Sequence, residues 1–282
     1  MMYWIYDYPS WKIGLLFCAV FLAVTWIGIF LMRATIHSWV HQDRRTNDMV
    51  GIALSSFFVL FGILLGLLAV ATYQNYSTVG DVVDKEASSM AALYRDFGGY
   101  PQPIRHHLQH QLREYARLTV KDDWPLMQRG IVPTNGTEQI NSVAQTLYTF
   151  EPSKESEKIL DAEAFHQFNN LLEVRRSRLA NVTTGLPPVL WWVVAFGALL
   201  NIMLIWMQDM ERHVHLILGG VLASILGAVI FLIAELDNPF RGEVSIGPDS
   251  IELAYKTEMK AETPATLPQS TLLRPQTTAA VP

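Results

Sequence analysis

Four stretches of about twenty residues without a charge constrain this chain more than anything else in it. The first opens after Lys12 and runs to Met32, the second covers 50–73, the third 187–207 and the fourth 214–234. A helix rises about 1.5 Å per residue, so each run is long enough to cross the roughly 30 Å hydrocarbon layer of a bilayer. Tyr3, Trp4, Tyr6, Trp11 and Trp39 flank the first run, and Tyr73, Tyr76, Trp191 and Trp192 stand near the ends of the next two. Amphipathic rings favour the headgroup layer, which fixes the span ends to within a few residues. The first run is too long for the apolar part of a secretion signal and lacks a basic segment before it, so it reads as a span and not as a cleaved leader.

The fold class expected is therefore all-α: four transmembrane helices with a helical, water-soluble insert between spans two and three. Residues 1–73 form one transmembrane hairpin, 74–186 the soluble domain, 187–235 a second hairpin, 236–256 a post-membrane segment, and 257–282 a disordered tail rich in Pro, Thr, Ala and Gln. In the insert, Val82, Val83, Glu86, Met90, Leu93, Tyr94 and Phe97 continue the second span as an amphipathic helix until Gly98, Gly99 and Pro101 stop it. Ile104, Leu108, Leu112, Tyr115 and Leu118 mark a further helix that Trp124-Pro125 is expected to close. Thr137 caps another, and Ser153 starts the last, which Gly185 to Pro188 breaks at the membrane.

An even number of spans puts both termini and the insert on one side. Near the span ends that side carries Lys12, Lys85, Arg175, Arg176, Arg178 and Arg241, against Arg33, Arg44, Arg45 and Arg212 on the other. The majority, six against four, favours a cytoplasmic location for the termini and the insert, whereas the first hairpin argues the other way, because Arg33, Arg44 and Arg45 would then face outward.

Several function classes lack support. The formal charge of −5 and the absence of a basic, aromatic-studded stripe argue against nucleic acid as a partner. The single cysteine, Cys18, lies in the first span and offers neither a disulfide nor a thiolate metal site. No span has a charge or a proline in its interior, which argues against a proton-coupled carrier with broken helices. His106, His107 and His110, like His37 and His41, have the spacing of a metal pair but read as solvated helix faces, and His213 and His215 read as interfacial. No glycine-rich phosphate loop, nucleophile elbow or zinc-protease motif occurs. The chain is expected to be no enzyme and to hold no cofactor or metal.

Two places remain as candidate sites. The second span holds Leu54, Ser55, Ser56, Phe57, Phe58, Phe61, Gly62 and Gly66. Gly62 and Gly66 read as helix packing, whereas Leu54, Phe58 and Gly62, four residues apart with Phe61 beside them, could line an apolar constriction if several copies surrounded an axis. After the fourth span, Glu235, Asp237, Asn238, Pro239 and Phe240 form a turn at the water boundary. Small residues on the fourth span, Gly220, Ala223, Ser224, Gly227 and Ala228, read as packing within the chain.

These residues carry a resemblance. Glu235-Leu236-Asp237-Asn238-Pro239-Phe240-Arg241-Gly242 resembles the acidic Asn-Pro-Phe-Gly signature after the last span of bestrophins, and Ser56 to Gly62 is similar to their pore-lining second helix. With Glu86-Ala87 after span two, the chain is most similar to the bacterial bestrophin-like family, a distant relation of the bestrophin chloride channels. The resemblance implies a homo-oligomeric, pentameric ion channel of the bacterial inner membrane. Its partners would be the lipid bilayer and a permeant inorganic ion, an anion by family default, and its pore would be lined by the second spans. The acidic run that forms a calcium clasp in animal bestrophins is represented here only by Glu243, Asp249 and Glu252, and Phe61 and Gly62 exchange the family's glycine and phenylalanine. The alternative is a non-conducting membrane scaffold or sensor whose insert binds a protein partner.

Overall fold

Residues 3–40 and 44–259 are described by the structure, a computed structural model. Among them no strand occurs, and four helices are long and apolar enough to span a bilayer. A 3-10 turn, Tyr3–Asp7, precedes α1 (Ser10–Val40). The second helix, α2 (Arg44–Phe97), is 54 residues long and carries the second span without a break into the insert. The insert continues with α3 (Ile104–Leu118), a π-helical turn (Thr119–Asp123), α4 (Trp124–Gln128), α5 (Thr137–Thr149) and α6 (Glu155–Ala180). The chain then returns through α7 (Pro188–Trp206) and α8 (Arg212–Leu236) and ends its described part with α9 (Asp249–Thr257).

At membrane level α1 and α8 pack most intimately, because glycine lets their backbones approach. A Cβ added at Gly227 would stand 3.1 Å from the Phe17 carbonyl oxygen and 3.2 Å from the Cys18 Cα. Gly220, Ala223 and Gly227 of the small face of α8 are thus buried inside the chain, as its composition implies, with Ser224 half-buried, whereas Ala228 is exposed. A second close fit lies between α2 and α7, where a Cβ at Gly197 would come within 2.2 Å of the Phe61 ring.

The insert closes around a different core. Met90, Leu93 and Phe97 of α2, Leu108, Leu112 and Tyr115 of α3, Met127, Val143 and Leu171 are all fully buried. The amphipathic stripe on the extended α2 is what these helices gather round, and α9 lies back along α2 and α3.

Local details correct the sequence expectations. Trp124-Pro125 does not end the helical path. A π turn re-aims the chain, and Pro125 sits in the first turn of α4, where its missing N–H costs little. Thr137 is the first helical residue and not a cap; Gly136 precedes the helix, and the Thr137 hydroxyl instead accepts from Arg175 Nη2 at 3.2 Å. Ser153 lies just outside α6, which Glu157 opens by accepting from the Ser153 and Lys154 N–H groups at 2.8 and 3.2 Å. His215 is buried, its Nε2 2.9 Å from the Ile205 carbonyl, and so is not an interfacial side chain. The expected disordered tail falls mainly on residues 260–282, outside the described residues. Before it, α9 reaches Thr257 and Met259 is fully buried. His41 is also outside the described residues.

Candidate pore helix and post-membrane turn

The second span is built without a polar stripe, so its covered face is set by neighbours. Phe61 and Leu65 turn inward, 7% and 4% exposed, against Val194 and Ala198 of α7 and Leu226 and Ile230 of α8. Phe57 stacks on Phe61 with ring centroids 6.0 Å apart. Phe61 therefore faces its own bundle.

Leu54, seven residues before Phe61 and on the same side of α2, and Phe58, at the edge of that side, are half-buried, and Gly62 is exposed. Phe58, Phe61 and Gly62 border a small apolar hollow of about 80 Å³ closed by Ile225, Leu226 and Val229 of α8. A Cβ added at Gly62 or Gly66 would meet nothing within 4 Å, so among the described residues these glycines pack against no other helix of the chain, and the helix packing their spacing implies is not made within one copy. On the far side Ile52, Val59, Ile63 and Val70 are all exposed. Sequence reasoning missed this bare face.

At the other end of the membrane region the five turn residues draw three segments together. Tyr6 donates its hydroxyl to the Ala234 carbonyl at 2.7 Å and accepts from Asn238 Nδ2 at 2.7 Å. The Ser10 hydroxyl donates to Glu235 Oε1 at 2.5 Å, and the Ser10 N–H to Glu243 Oε2 at 2.9 Å. Asp237 accepts from the Leu186 N–H at 2.5 Å and from Trp191 Nε1 at 3.3 Å, which ties the entry of α7 to the exit of α8. Burial raises the Asp237 carboxyl above its usual range, and these two donors oppose the rise.

Pro239 ends the helical path, and the Ile246 N–H returns to its carbonyl at 2.8 Å. Gly242 adopts φ +86, a backbone conformation that favours glycine. Phe240 is buried edge-on to Trp124 at 5.8 Å, and Trp124 Nε1 donates to the Ile246 carbonyl at 3.1 Å. The turn is thus a knot joining the N-terminus, both halves of the second hairpin and the insert.

From Trp124 the contacts lead to a buried ion pair. Arg178 of α6 donates from Nε to Glu86 Oε2 at 2.5 Å and from Nη2 to Glu86 Oε1 at 3.2 Å, with both side chains wholly excluded from solvent. Tyr115 donates its hydroxyl to Glu86 Oε1 at 2.7 Å, and the Arg178 guanidinium lies 5.7 Å from the Trp124 ring. Burial alone would lower the Arg178 pKa, but the Glu86 carboxylate raises it on balance. Arg178 is consequently a core residue and not one of the surface cations counted for orientation. Sequence reasoning placed Glu86 on the apolar stripe of α2 and missed its partner; an acid at such a position is the signal that a buried cation meets it.

No three His, Cys, Asp or Glu side chains converge on a metal-sized site among the described residues. His106 and His110 are exposed and stack with ring centroids 6.2 Å apart, and His107 reaches Ser142 at 3.4 Å.

A family model for the bestrophin-like domain matches residues 19–251. Among solved structures, a bacterial bestrophin homolog from Klebsiella pneumoniae is 14% identical, with a TM-score of 0.60 over 87% of this chain and 98% of that one. A point-mutated form of the same homolog gives a TM-score of 0.62 at 12% identity, covering 88% and 99%. At such identities the likeness shows a shared fold. No curated protein matches the chain.

Proposed function

This chain belongs to the bestrophin-like family, and we propose that it is a homo-oligomeric ion channel whose second spans stand around a common axis. One observation carries the reading: only 11% of the most apolar stretch of α2 is buried, against 17% for α1, 33% for α7 and 39% for α8. A span left this bare, with two glycines open to the outside, suits close approach by copies of itself. In a ring the body of each protomer lies outside its α2. The axis would then be met by the bare face, with Val59 and Ile63 at its centre and Gly62 at its edge, while Phe58 stands at the boundary with the covered side and Leu54, seven residues before Phe61, lies on that covered side. Phe61 would buttress the helix from behind.

Five copies are proposed on the family resemblance, with an anion such as chloride as the permeant ion. Ring edges of Phe58 carry partial positive charge and can face an anion where no fixed charge is present. The membrane is taken to be the bacterial inner membrane, with both termini and the insert cytoplasmic. Glu235, Asp237, Asn238, Pro239 and Phe240 would act as a fixed joint that holds the insert to the span exits while α2 carries movement between them. We assign the chain no catalytic role and no cofactor.

Planar-bilayer recording of the purified protein tests this. Currents above the lipid baseline that change in conductance or selectivity with Phe58→Ala are expected. Baseline currents from both proteins would leave a non-conducting membrane scaffold as the better reading.

A further inference from the structure

Asp123 stands apart from the other acids among the described residues. It is wholly buried at the end of the π turn, and neither carboxyl oxygen meets a donor from the protein. The Thr119 hydroxyl at the start of the same turn is buried and unpartnered too. Neither arginine nearby bonds to it. Arg178 spends Nε and Nη2 on Glu86 and points Nη1 at the Met127 sulfur, 3.0 Å away, while Arg175 gives Nη2 to Thr137, lies 5.9 Å from the Tyr115 ring and keeps a buried Nε without a partner. An ionised carboxylate cut off from water and from donors is the costly form of this side chain, and the neutral acid is far less so.

We propose that Asp123 is a proton-binding site, and that its proton decides whether Arg178 is held by Glu86 alone or drawn between two carboxylates. The groups facing Asp123 come from each neighbouring element: Asp122 on its own turn, Glu86 from α2, and Arg175 and Arg178 from α6, with Tyr115 of α3 beside it across Gly136. Burial raises the Asp123 carboxyl above its ordinary range; Arg178 and Arg175 oppose the rise, and Glu86 and Asp122 add to it. While the proton is bound, Glu86 keeps Arg178, and α2 is clamped to α6. Once it leaves, the negative charge competes for Arg178 and Arg175, and the clamp loosens.

Trp124 follows directly in the chain and touches both Arg178 and Phe240, so the change is delivered to the post-membrane turn. The inference concerns the insert alone and does not depend on conduction.

A folded-state pKa raised above the unfolded one gives stability that is present at low pH and is lost as pH rises through the folded pKa. Thermal melting of the full chain in nanodiscs, from pH 4 to pH 8, is compared for the native protein and Asp123→Asn. The amide cannot ionise, so the variant should melt about 2–4 °C higher at pH 8, with the difference closing towards pH 4. Infrared spectra of the native protein through the same pH range should hold a protonated carboxyl band, absent from Asp123→Asn, that persists above the pH at which exposed carboxyls have ionised. A melting difference that does not vary with pH, or the absence of that band, means Asp123 is ionised and hydrated in place, and overturns the proposal. The native spectrum decides the matter even if the variant folds poorly.

Discussion

One helix serves two regions of this molecule in opposite ways. Between residues 50 and 73, α2 touches its neighbours along a single edge and leaves Ile52, Val59, Ile63 and Val70 bare. Beyond residue 79 the same helix becomes the spine of a closed core, with Met90, Leu93 and Phe97 fully buried and Glu86 locked to Arg178. The difference teaches where the chain is finished alone. The insert buries its apolar stripe and satisfies most of its polar groups within one copy, whereas the second span relies on lipid or on further copies for its outer contacts.

Breaking the closed region should cost most. Arg178→Ala leaves Glu86 as an uncompensated buried charge and should remove about 3–5 kcal/mol of stability, read as a large fall in the melting temperature of the insert. Replacing Glu86 and Arg178 together by Leu and Met should restore most of the loss. Full loss in the double variant would mean that the hydrogen-bonded pair itself, and not merely the avoidance of an unpaired buried charge, holds α2 to α6.

A smaller effect is expected at the covered edge of the bare region. Gly197→Ala drives a methyl into the Phe61 ring and should cost about 1–3 kcal/mol, measured by melting in detergent. The open glycines give the smallest and most telling result. Gly66→Ala meets nothing inside the protomer and removes a flexible residue from a helix, so a gain of about 0.5–1 kcal/mol in protomer stability is expected. If Gly66 also lies where copies approach, the same change should weaken the oligomer on size-exclusion chromatography. A protomer destabilised by Gly66→Ala would show that the face is covered from within.

The two regions also differed in how legible they were from sequence. In the insert, water supplies the contrast: Val83, Glu86, Met90, Leu93 and Phe97 stand out from polar neighbours at helical spacing, and all prove buried. Even there the partner of Glu86 was hidden, because three arginines within four residues of α6 fit the need equally well and only packing selects Arg178. In the membrane an apolar residue facing lipid looks the same as one facing protein. The existence of four spans could be read from their length, but the rotation of α2 about its axis could not, so Phe61 was grouped with Leu54 and Phe58 although its ring is buried against Gly197. The post-membrane turn was visible as Pro239 and its neighbours. Its bonds to Tyr6 and Ser10, more than two hundred residues away in the chain, leave no local trace.

The most direct test of the account asks whether the bare face of α2 is where copies meet. With Cys18 replaced by serine, single cysteines are placed at Ile63, on the bare face, and at Leu65, on the covered one, and membranes are oxidised. Intermolecular disulfides at position 63 and none at position 65 are predicted, and cross-linking at 65 with none at 63 would contradict the arrangement from which the channel reading is built.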